Sequence, residues 1–164
     1  MEKLWSPWRS QYIESFKIKD KKCVFCAMAE DEIEKNGSLL VHKGILTFTV
    51  LNLYPYNNGH MMVVPYKHTN DSGSFSKEEN IEVMEQIHLA VKALTIVYGP
   101  EGFNIGANLG KVSGAGIDEH LHFHIVPRWN GDTNFMPVLG EVKIISQDLM
   151  DTKKKLIEAY TSLI

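Results

Sequence analysis

The segment His120-Leu121-His122-Phe123-His124-Ile125-Val126-Pro127-Arg128-Trp129 constrains the fold more than any other part of the chain. Successive side chains of an extended strand leave opposite faces. Leu121, Phe123 and Ile125 are therefore expected to build core, while His120, His122 and His124 share the other face. Such a strand belongs in a sheet with one apolar back and one chemically active front. A lone histidine on a strand is more often structural than catalytic. Three at period two weaken that reading, and their spacing of about 6.5–7 Å also suits metal ligation or an alternating surface strand.

The remaining chain supplies the back layer. The spacing predicts a long helix over residues 76–98, opened by the Ser76-x-x-Glu79 capping box and closed by Gly99-Pro100. Ile81, Met84, Ile87, Val91, Leu94 and Val97 recur on one helical stripe and are expected to face the core. A second helix is predicted over 147–163 and a short one over 25–35, before Asn36-Gly37. Strand-like segments occupy 39–42, 45–53, 60–65, 103–109 and 120–126, with Asn57-Asn58-Gly59 as the turn between two of them. An early meander, a long helix and two later strands describe an α+β fold with an antiparallel sheet. No repeat or linker divides the 164 residues, so a single domain over 1–164 is expected.

Charge narrows the partners. With 17 basic and 20 acidic side chains the net charge is -3, which gives no footprint for long nucleic acid or an anionic membrane. The start MEKLWSPWRS has no apolar run of the kind found in a secretory signal or membrane anchor. A cytoplasmic protein is expected, and there Cys23 and Cys26 need a role other than a disulfide. A small anionic ligand fits, because it needs only local positive charge. The glycine-rich run Asn108 to Gly116 leads into the histidines; its backbone N–H groups can approach phosphate oxygens, and Lys111 adds charge. Imidazole is neutral near pH 7 and nucleophilic at one nitrogen while a hydrogen bond at the other holds its tautomer. Flanking imidazoles can stabilise the charge that phosphoryl-type transfer develops, which makes the central His122 the natural attacker.

These residues resemble the histidine-triad family, whose signature is His-x-His-x-His followed by apolar residues. The resemblance extends through Leu4-Trp5-Ser6-Pro7-Trp8-Arg9, Cys23-Val24-Phe25-Cys26, Asn52 to Asn57, Gly59-His60, Phe103 to Gly106 and Gly131 to Met136. Within the family it points to the bacterial diadenosine tetraphosphate phosphorylase branch. The resemblance implies a covalent nucleotidyl intermediate on His122, supported by His124 and His60. It also implies that Asn52 holds the ribose, that Asn108 and Gly116 lie by the phosphates, and that Trp129 contacts substrate. It implies a homodimer built around the long helix, an adenine nucleotide or dinucleoside polyphosphate as substrate, and no organic cofactor. Many family members carry Gln followed by Ser or Thr where this chain has Gly116-Ile117. The smaller residue is expected to leave room for inorganic phosphate, rather than water, as the second nucleophile.

A single C-x-x-C is a weak metal signal, because structural zinc normally takes four ligands. Resemblance to cysteine-containing triad proteins, and more distantly to galactose-1-phosphate uridylyltransferase, adds His68 and His120 to Cys23 and Cys26 as ligands of a structural Zn2+. His42 and His88 match no such pattern and are expected to be ordinary structural or surface residues. Hydrolysis of dinucleoside polyphosphates or nucleoside phosphoramidates, a nucleotide-binding module without turnover, and a metal-storage or zinc-sensing protein are the competing functions.

Overall fold

The computed structural model describes residues 23–132 and 147–164. The motif residues at 4–9 and 133–136 lie outside them. Helix α1 (Val24–Glu30) precedes a meander of β1 (Leu40–Lys43), β2 (Thr47–Leu51) and β3 (Met61–Pro65). The long helix α2 (Lys77–Tyr98), strands β4 (Gly102–Ala107) and β5 (Phe123–Arg128), and helix α3 (Leu149–Leu163) follow. The five strands form one sheet in the order β1-β2-β3-β5-β4, antiparallel at every junction. This is the expected α+β architecture with its long and C-terminal helices. Among the described residues no helix is long and apolar enough to cross a membrane.

Each face of the sheet has its own cover. Thr47 Oγ1 donates to Glu82 of α2 at 2.9 Å, so the side chains in phase with Thr47 face the long helix. The strand register carries that face from Thr49 to Val63 and on to Phe123, and from Leu51 to Met61 and Ile125. Phe48, Val50, Met62 and His124 consequently lie on the opposite face, where α1 places Phe25. The long helix starts where its sequence says: Ser76 Oγ accepts the Glu79 N–H, and Glu79 Oε2 accepts the Ser76 N–H. It ends at Gly99, in the left-handed region at φ 52°.

Its buried stripe differs from the predicted one. Val83, Gln86, Ile87, Ala90, Ala93 and Leu94 are buried, whereas Ile81 and Met84 are 48% and 51% exposed. The two alanines let the helix axis approach the sheet, so contact centres on small residues that an apolar pattern underweights. Three boundaries also shift. Helix α1 stops at Glu30 rather than 35, because Asp31 is already extended (φ -70°, ψ 159°). Strand β2 begins at Thr47 rather than 45, because Glu82 accepts the N–H groups of Leu46 and Thr47 and pins that turn to α2. Strand β4 covers Gly102–Ala107, ending before Asn108.

The β2–β3 connection approaches α2 so closely that residue 59 has to be glycine. Gly59 has φ 72°, and a Cβ there would stand 2.8 Å from Leu94 Cδ2 and 3.1 Å from the Tyr98 ring. Gly59→Ala is expected to destabilise the protein by about 1–3 kcal/mol through both strain and overpacking. Urea denaturation checks this; a loss below about 0.5 kcal/mol would show that the helix yields to the extra methyl.

Candidate active site and metal centre

Strand β5 begins at Phe123, not at 120, so only His124 of the three histidines lies within the ladder. The facing end of β3 is Pro65, which has no N–H to offer, and its carbonyl accepts the His120 Nε2–H at 2.8 Å. The chain at 120–122 instead runs beside the loop after β3, where the Leu121 N–H donates to Thr69 O at 2.7 Å. Side-chain alternation survives this departure. Leu121 and Ile125 are buried core, and the His122 and His124 rings meet edge-on at 4.8 Å.

Hydrogen bonds assign a tautomer to each imidazole. His122 Nδ1–H donates to the His120 carbonyl at 2.9 Å, so the neutral ring keeps an unprotonated Nε2. Burial lowers the pKa of His122 from its ordinary value, and the bond to His120 opposes that shift. The ring is 6% exposed and rests 4.8 Å from the Phe25 ring centre. His60, in the turn before β3, accepts the Tyr56 N–H at its Nδ1, 2.9 Å away. Its proton therefore sits on Nε2 and is donated to His124 Nδ1 at 2.9 Å. His124 in turn carries its proton on Nε2. The site thus combines a buried imidazole whose Nε2 is unprotonated with a neighbouring ring oriented as a donor.

His120 has left this set. Its Nε2–H is engaged by Pro65, and its bare Nδ1 lies 3.3 Å from Cys23 Sγ and 3.7 Å from Cys26 Sγ. His68 Nδ1 lies 3.2 Å from Cys26 Sγ. The four candidate ligand atoms of Cys23, Cys26, His68 and His120 all fall within 4.8 Å of one another. Zinc bonds of about 2.3 Å to sulfur and 2.0–2.1 Å to nitrogen give tetrahedral S···N edges near 3.6 Å, close to the three S···N distances of 3.2, 3.3 and 3.7 Å. Burial raises the Cys26 thiol pKa, with Cys23, Glu119 and Glu30 adding to the shift, so its protonated form is favoured where no cation offsets that burial. The donor set fits a soft or borderline divalent metal, with all four positions filled by protein.

The other predicted residues divide. Asn52 joins the histidines: its Nδ2 is 3.4 Å from His60 Nδ1, and its Oδ1 accepts the Tyr54 N–H. Asn108 follows β4 and Gly116 follows the glycine-rich turn, both half-buried on the way into the histidine segment. That turn folds as a single 3-10 unit, Lys111–Ser113, closed by Gly114 at φ 91°. Lys111 stands at its exposed tip, 3.7 Å from Asp118. Trp129 immediately follows β5, half-buried, with its N–H donated to Asp132. His42 packs 5.2 Å from the Tyr160 ring and His88 is exposed, both outside the cluster. Sequence reasoning missed Phe25, which touches His120 and His122, and Tyr56, whose ring lies 4.7 Å from His60 and 5.7 Å from His124. Phe25 had a signal, its place inside the C-x-x-C; Tyr56 had none beyond its nearness to His60.

An antiparallel sheet backed by one long helix, with a triad strand opening onto imidazoles, defines the histidine-triad class. The HIT domain family model matches residues 34–131, and the chain belongs to that family. It is 38% identical over 161 residues to the AP-4-A phosphorylase of Mycobacterium tuberculosis, an alignment spanning 95% of this chain and 83% of that protein. It is 28% identical over 108 residues to adenosine 5'-monophosphoramidase hnt1 of Schizosaccharomyces pombe, covering 66% of this chain and 75% of that one. Its fold matches the Zn-bound histidine triad family protein of Mycobacterium smegmatis with a TM-score of 0.69 at 25% identity, over 87% of this chain and 95% of that chain.

Proposed function

We propose that this protein is a nucleotidyl-transferring enzyme that cleaves dinucleoside polyphosphates, diadenosine tetraphosphate in particular, through a nucleotidyl-His122 intermediate. The observation that carries the reading is the His122 Nδ1–H bond to the His120 carbonyl, which leaves a buried imidazole with its Nε2 lone pair unprotonated. That lone pair attacks the α-phosphorus. A P–N bond forms as the P–O bond to the departing ATP breaks. His124, oriented by His60, donates from Nε2 to the oxygens on which charge grows. An oxygen of inorganic phosphate then attacks the same phosphorus, the P–N bond breaks, and ADP leaves. Asn52 would hold the ribose, Asn108 and Gly116 would flank the phosphates, and Trp129 would contact the nucleoside. The similarity to the mycobacterial phosphorylase supports the substrate class.

In the same reading Cys23, Cys26, His68 and His120 hold one structural zinc, supported by their mutual distances and by the zinc-bound M. smegmatis relative. With all positions filled, the metal would brace the chain and leave the chemistry to His122. A homodimer is also proposed. Its support is the outward Ile81 and Met84 on the long helix and the half-exposed Ile105 on the edge strand β4. The phosphoramidase relative favours a second reading, in which an amine is the group displaced from phosphorus as the same intermediate forms, and water then resolves it.

The test is incubation with diadenosine tetraphosphate, with and without inorganic phosphate, followed by ion-exchange separation. ADP plus ATP formed only with phosphate is the expected result. AMP plus ATP formed equally without it would make the enzyme a hydrolase, and nucleoside phosphoramidates become the next substrates if neither pair appears. Gly116→Gln is expected to relax the phosphate requirement; unchanged dependence would remove the proposed role of the small residue.

A further inference from the structure

Beyond the triad, one carboxylate joins two segments that the mechanism treats separately. After β5 the chain turns through Gly131 at φ 76°, and the Asp132 N–H donates back to Trp129 O at 3.1 Å. Asp132 Oδ2 accepts from Arg128 Nε at 2.6 Å, from Asn57 Nδ2 at 2.9 Å and from the Trp129 N–H at 3.1 Å. Its Oδ1 accepts from Arg128 Nη2 at 2.8 Å, and Arg128 Nη1 donates to Asn104 Oδ1 of β4 at 2.7 Å. Asn57 Nδ2 also donates to Pro127 O at 3.1 Å, while the Asn57 carbonyl accepts the His60 N–H at 3.2 Å. The carboxylate is only 7% exposed, and the bidentate Arg128 holds its pKa down at about 2. It therefore stays an acceptor throughout the physiological range.

An exposed ion pair between neighbouring residues contributes little by itself. This one differs because Asn57, 75 residues away, completes it. One side of the clamp is the turn carrying Trp129; the other is the loop carrying His60, which orients His124. We infer that Asp132 is a positioning residue for nucleotidyl transfer, fixing the Trp129 turn against the His60 loop so that nucleoside and phosphates are held in one register. The inference rests on the proposed function for the role of Trp129, but its geometric part can be read without turnover.

Asp132→Asn preserves volume yet places an amide donor among groups that are all donors, so the clamp opens without a cavity. Trp129 is made the sole tryptophan by Trp5→Phe and Trp8→Phe, and its fluorescence anisotropy is measured together with AMP affinity and the imidazole 15N shifts of His60. Asp132→Asn is expected to lower the anisotropy, shift the His60 resonances and weaken both AMP binding and KM by roughly tenfold, the loss of one charge-assisted bond. Asn57→Ser leaves the Asp132–Arg128 pair intact and removes the Asn57 amide from Asp132 and Pro127. It should shift His60 and reduce kcat while leaving the Trp129 anisotropy near that of the parent, and it serves as the test if Asp132→Asn does not fold. A lower melting temperature with anisotropy, AMP affinity and His60 shifts unchanged would reduce Asp132 to a structural ion pair and overturn the inference. If the parent protein does not turn over diadenosine tetraphosphate but these signals still move, the substrate reading fails and the positioning role stands.

Discussion

His122→Ala is expected to lower kcat for diadenosine tetraphosphate by at least about 10^3-fold, because His122 is the group proposed to form the nucleotidyl intermediate. At 1.36 kcal/mol per decade this is a loss of about 4 kcal/mol or more of transition-state stabilisation. Nucleotide binding is expected to change far less, since Asn52, Trp129 and the loop at 108–116 are untouched. Rapid quenching of the parent protein with substrate should reveal an adenylyl adduct by intact mass, absent from the variant. Turnover within about tenfold of the parent would move the nucleophile elsewhere. Binding without turnover in the parent itself would favour the nucleotide-binding module. His124→Ala should be milder, near 10^2-fold, because a donor to a developing charge is lost and the nucleophile remains.

Removal of the metal is expected to have the second large effect. Protein from a zinc-replete preparation should carry about one zinc per chain by elemental analysis, and Cys26→Ser with His68→Ala should carry none. The proposed zinc would close a loop between α1 and the histidine segment, so its loss should lower the melting temperature by about 10 °C, or about 3–5 kcal/mol for a domain of this size. Turnover should fall as well. His120 would supply Nδ1 to the proposed metal, and its carbonyl receives His122 Nδ1–H, so freeing its ring should loosen the bond that sets the His122 tautomer. A metal-free parent with unchanged melting would eliminate the zinc centre, and more than one tightly bound metal per chain would favour storage or sensing.

The two effects meet at His120, and this is where sequence and structure part. Period-two alternation marks residues 120–124 as one imidazole face with core-facing residues between, and the buried Leu121 and Ile125 bear out the core-facing half. The same alternation treats the three histidines as equivalent. Three different partners make them unlike: His120 donates to Pro65 O, His122 donates to His120 O, and His124 accepts from His60. Two of these bonds depend on segments more than fifty residues away, beyond the reach of any local pattern. The helix boundaries tell the same story from the other side. Ser76-x-x-Glu79 and Gly99 are local devices and act as read, whereas the buried stripe of α2 depends on which face the sheet accepts, and there Ala90 and Ala93 displace Ile81 and Met84.

From its sequence alone, then, the chain declares a triad strand, its core-facing partners, a capped long helix and a C-x-x-C awaiting two more ligands. These are short-range facts, set by side-chain periodicity and capping chemistry within a few residues. Only the tertiary structure decides that His120 faces the cysteines, that His122 keeps its Nε2 bare, and that Asp132 reaches Asn57. The first and last depend on partners brought from distant segments, and the second on a backbone that leaves the ladder at 120–122 and turns the His120 carbonyl to His122; imidazole and carboxylate chemistry is determined by the partner rather than by the residue type.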